Sequence, residues 1–179
     1  MGHIGTSRNL AGAEVVKPAK LSHFTFLSIM EAKAIQTGLN ALITVLKDGQ
    51  KGYADAMVDV KDQNLKDLFK KYSAQRASYV TELEDQMFKL DLKPDTSEGS
   101  SILGAIHHTW IDLKAAVTGH DNHAILAECE RGEDVAKKAY EEASKLQDLP
   151  GDLKSVIEKQ AQGVKAAHDE IRGLRDSSK

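Results

Sequence analysis

Residues 124–143 read AILAECERGEDVAKKAYEEA, and the way this stretch folds decides what the rest of the chain can be. Its apolar and small residues return every three or four positions, the period of a helix and not the period of two that a strand requires. At about 100° per residue, Ile125, Cys129, Gly132, Ala136, Ala139, Tyr140 and Ala143 gather on one face, which must be the buried one. Among the carboxylates, Glu130, Asp134 and Glu141 fall on the far side as solvated charges, with Lys137 and Lys138 at pairing spacing. Only Glu128 and Glu133 border the apolar face, so the dense acidity is mostly surface chemistry. Cys129 reads as a small buried hydrophobe: no histidine stands at helical spacing from it, and reactivity needs exposure.

The same period runs outward in both directions, from residue 34 to residue 175, and no alternating stretch of useful length interrupts it. An all-α chain follows. A first helix carries Ile35, Leu39, Leu42, Leu46, Gly49, Tyr53, Met57 and Val60 on one stripe. A second carries Leu65, Leu68, Tyr72, Arg76, Tyr79, Leu83, Met87 and Leu90. LKPDTSEGSS, with Pro94 and Gly99, then breaks the pattern, and Ser100 or Ser101 is placed to cap a shorter helix holding Ile102 or Leu103, Ile106, Trp110, Leu113 and Val117. After the opening stretch, Pro150 and Gly151 mark a turn, and a last helix carries Leu153, Ile157, Ala161, Val164, His168, Ile171 and Arg175. Each half is thus a helical hairpin. The roughly thirty residues between the halves include about sixteen helical ones, which rise about 24 Å and can travel back along a bundle. That is the long crossover of a four-helix bundle built from two hairpins.

The 179 residues suit one domain with a real core, and 41% hydrophobic against 28% charged residues argues against wholesale disorder. The expected organisation is a leader over 1–21, an apolar extension over 22–33, the bundle over 34–175 and a tail over 176–179. A net charge of −3 offers no basic excess for nucleic acid. The single cysteine fits a reducing compartment, so the cytoplasm is the expected location. No apolar run approaches the roughly 18 residues that span a bilayer. The leader lacks the apolar core of a secretory signal, although Arg8, Lys17 and Lys20 with few acids leave an organelle transit peptide open.

Four runs, DLFKKYSAQRASYVTEL, AAVTG, AILAECERGEDVAKKAY and QGVKAAHDEIRGLR, resemble a bacterial family of ferritin-like four-helix-bundle proteins, a domain of unknown function, over roughly residues 35–175. The wider ferritin- and rubrerythrin-like superfamily builds a di-iron site from a Glu on each of two helices and a Glu-x-x-His on each of the other two. On that resemblance, the first-helix Glu position is Leu46, the first Glu-x-x-His is Arg76 and Tyr79, the third-helix Glu is Glu133, and the last pair is Lys165 and His168. Two of the six positions keep a ligand type. An arginine and a lysine among the rest oppose a cation electrostatically.

The expected function is therefore non-catalytic: a self-associating structural, interaction or stress-associated bundle with a degenerate metal site and no cofactor. A polar cluster of Arg76, Tyr79, Glu133 and His168 takes the metal's place, with Arg76 facing Glu133. The alternative is an iron-binding protein or di-iron oxidoreductase with unorthodox ligands from Glu128, Glu133, Tyr79 and His168. His107, His108, His120 and His123 cluster in the crossover, where His120 and His123 have metal-binding spacing but no carboxylate or cysteine fixed beside them. No nucleophile elbow, phosphate loop or dinucleotide fingerprint occurs. In SHFTFLSIM, residues 22–30, Phe24, Phe26 and Leu27, followed by Ile29 and Met30, need cover, either by folding back on their own bundle as an extra turn of helix or by docking on a neighbouring copy, and a homo-oligomer contact is the expected one.

Overall fold

A computed structural model describes residues 23–94 and 121–178, with side chains from Ser28 onward. All regular structure among the described residues is helical: α1 is His23–Asp59, α2 Gln63–Lys89, α3 Asn122–Ala143 and α4 Gly151–Ser177. The expected leader, the Trp110 helix with its Ser100 or Ser101 cap, and His107, His108 and His120 lie outside the described residues.

Two of the helices start at aspartate caps. The Asp62 carboxylate accepts from the backbone N–H groups of Asn64 and Leu65, at 2.8 and 3.2 Å, and Asp121 accepts from His123 N–H at 2.9 Å, satisfying donors that have no partner within the helix. After α2 and α3 the chain turns through left-handed residues, Asp91 at φ 54° and Asp148 at φ 56°. Aspartate tolerates this conformation because its short polar side chain can bond locally. Gly151, expected to mark that turn, instead opens α4.

Helix α1 starts eleven residues before the helix expected from residue 34, because nothing between Pro18 and Gly38 breaks a helix. Residues 23–33 are thus its first turns, not a separate extension. The overlap of the helices follows from their buried residues. Ile35 and Leu39 of α1 share an apolar cluster with Met87 of α2, Ala143 of α3 and Leu153 of α4. A second cluster joins Tyr53 and Val60 to Leu65, Phe69, Ile125 and Ile171. Helices α1 and α4 therefore run one way and α2 and α3 the other, and α2 ends at the opposite end of the bundle from the start of α3.

Candidate functional site

On α2 the buried positions are Leu65, Phe69, Tyr72, Arg76, Tyr79, Val80, Leu83 and Met87, a helical stripe with a cation at its middle. Arg76 lies between the two apolar clusters, only 1% exposed. Its Nη2 donates to both oxygens of Glu133 on α3, at 2.6 and 2.7 Å, and Glu133 is equally buried. Nη1 donates to Gln75 Oε1 at 2.6 Å. The Tyr53 hydroxyl, from α1, donates to Glu133 Oε1 at 2.6 Å. A Cβ on Gly49 of α1 would stand 3.7 Å from Arg76 Cγ, an ordinary van der Waals contact. The guanidinium carbon is 5.9 Å from the centre of the Tyr79 ring, within reach of a cation–π contact.

Burial alone would pull the Arg76 guanidinium toward deprotonation, but the Glu133 carboxylate beside it outweighs that and raises its pKa above the ordinary value. Burial first, and the same carboxylate second, push the Tyr53 phenol well above its usual range, so it stays a donor. The result is a net-neutral unit with its charges hydrogen-bonded, the condition under which a charge survives in a core.

A second hydrogen-bonded chain lies beside it. The Tyr140 hydroxyl donates to Gln160 Oε1 at 2.7 Å, and Gln160 Nε2 donates to Glu82 Oε2 at 3.0 Å and the Tyr79 carbonyl at 3.2 Å. Gln160 is fully buried. Its place three residues after Ile157 and four before Val164, on the core stripe of α4, is the signal in the sequence that marks it as an inner residue. Tyr79 belongs to this side too. A Cβ on Gly163 would lie 2.0 Å from its hydroxyl oxygen, so the glycine is what lets the phenol pass α4.

His168 does not join Arg76 and Glu133 through any of its hydrogen bonds. Its ring is buried, with Nε2 3.1 Å from Asp134 Oδ1 and Nδ1 3.0 Å from Asp169 Oδ1. Lys137 Nζ is 3.5 Å from Nε2 and Glu130 Oε1 is 3.9 Å away. Glu130, expected on the solvated side, is buried, because Arg175 of α4 folds over it as an ion-pair partner. Lys165 points outward and pairs with Asp169. It therefore adds no charge to the interior. Glu128 is buried as well: Arg131 bonds its Oε1, while Oε2 has no hydrogen-bond partner. His123 Nδ1 lies 3.0 Å from the Arg175 carbonyl.

The Cys129 thiol is fully buried, and burial, then Glu133 and Glu128, hold its pKa far above the usual thiol value. It is not a thiolate nucleophile at neutral pH. Among the described residues no group of three or more His, Cys, Asp or Glu side chains is arranged to hold a metal ion, and no helix is long and apolar enough to cross a membrane. Phe24, Phe26 and Leu27 lie on the backbone of α1, with their side chains outside the described residues.

Residues 34–146 match the family model for a domain of unknown function, DUF2383, taking in all of α2 and α3 and most of α1 but stopping before α4. No curated protein matches the chain. The family match spans more than half of the sequence, and the chain belongs to that family.

Proposed function

We propose that this member of the family is a non-catalytic, ferritin-like four-helix bundle in which a buried ion pair stands where the superfamily holds metal, and that it serves as a cytoplasmic structural, interaction or stress-associated protein. The observation that carries this reading is the Arg76 guanidinium on both oxygens of Glu133. A carboxylate engaged at both oxygens by a resident cation, and at Oε1 by a phenol as well, offers a metal little free donor capacity and sets a like charge beside it.

The remaining positions support the same reading. Leu46 is a fully buried core leucine. Lys165 is exposed, and both nitrogens of His168 face carboxylates at the α3–α4 flank. These side chains do not fit a di-iron centre. Helices α2 and α3 run the same way, so α2 ends at the opposite end of the bundle from the start of α3, which suits a ferritin-like long crossover of about 40 Å for a bundle the length of α2. The lone buried thiol suits a reducing compartment.

One observation favours the alternative, an iron-binding protein: the unpartnered Oε2 of buried Glu128. Glu128 and Glu133, however, are five residues apart and project about 140° from each other around α3, so they do not converge on one ion. Elemental analysis of protein purified from iron-replete cells tests both readings. Well under one iron per chain is expected, with no ferroxidase activity. Stoichiometric iron lost on Glu133→Ala or His168→Ala would overturn the proposal.

A further inference from the structure

We draw no further inference here: the strongest candidate, the exposed apolar side chains of Ile29 and Met30 toward the N-terminal end of α1 with Phe88 in the last turn of α2, carries none, because nothing among the described residues shows what covers them.

Discussion

Two polar groups of this bundle, one at its centre and one at the α3–α4 flank, differ in what surrounds their charges. At the centre Arg76, Glu133 and Tyr53 are sealed between two apolar clusters, and each charge has its partner inside the protein. At the α3–α4 flank His168 is buried, but the carboxylates that face it, Asp134 and Asp169, are 59% and 52% exposed. Water can replace either of them. The central pair has no such substitute, so its loss leaves an uncompensated charge in a dry environment. The difference teaches that the energetic weight of an ion pair here is set by what would solvate the survivor, and not by how many charges are gathered.

Removing one partner of the central pair is the strongest way to break this contrast. Glu133→Ala is expected to cost about 3 kcal/mol, the scale for stranding a buried charge, measured as a shift in the urea midpoint at constant slope. A loss below about 0.5 kcal/mol would place the pair in solvent. Arg76→Met combined with Glu133→Leu should restore most of that stability, since replacing both partners with apolar groups of similar volume is often neutral or better. If the double variant were as unstable as Glu133→Ala, desolvation would not be the dominant cost.

The next effect is steric. Gly163→Ala puts a methyl where the Tyr79 hydroxyl lies, 2.0 Å from the new carbon, and an overpacked site of this kind costs about 1–3 kcal/mol. Tyr79→Phe in the same background removes the offending oxygen and should recover part of the loss. A Gly163→Ala variant of native stability would mean that the tyrosine swings aside freely.

Tyr53→Phe sharpens the comparison from within the central group. It deletes one of the donors to Glu133 while leaving the guanidinium in place, so about 0.5–1.5 kcal/mol is expected by denaturation. Asp134→Ala at the flank should cost about 0.5 kcal/mol or less, because its carboxylate is largely solvated. An Asp134 effect as large as that of Tyr53 would erase the distinction between the two groups.

The smallest expectation concerns pH. Hydrogen bonds from Lys165 first and His168 second hold the Asp169 carboxyl down at about 2. A carboxyl whose folded pKa is depressed stabilises the fold above its unfolded value and loses that contribution as pH falls through the folded one. The contribution of Asp169 is therefore complete above about pH 4 and lost toward pH 2. A carboxyl titration by NMR should show this low midpoint, and Lys165→Ala should raise it. An unchanged midpoint in that variant would remove lysine as the main cause.

The helical class, the four stripes, the central position of Arg76 on its stripe and the place of Glu133 at the border of its own were legible in the sequence, because the period of 3.6 fixes the angle of each side chain about its own helix axis. That angle says where the core lies from the viewpoint of one helix. It does not say which neighbour flanks it. Glu128 and Glu130 sit about 100° to either side of Cys129, and whether such marginal positions meet water depends on the helix beside them. Here Arg175 closes over Glu130, so a carboxylate expected in solvent is buried. His168 likewise lies on the inner stripe of α4 yet makes its polar contacts at the flank, and Gln160, one turn before Val164, becomes the link between Tyr140 and α2. Sequence period sets which residues can be inside. The lateral placement of long side chains, decided only when four helices meet, sets which of them touch.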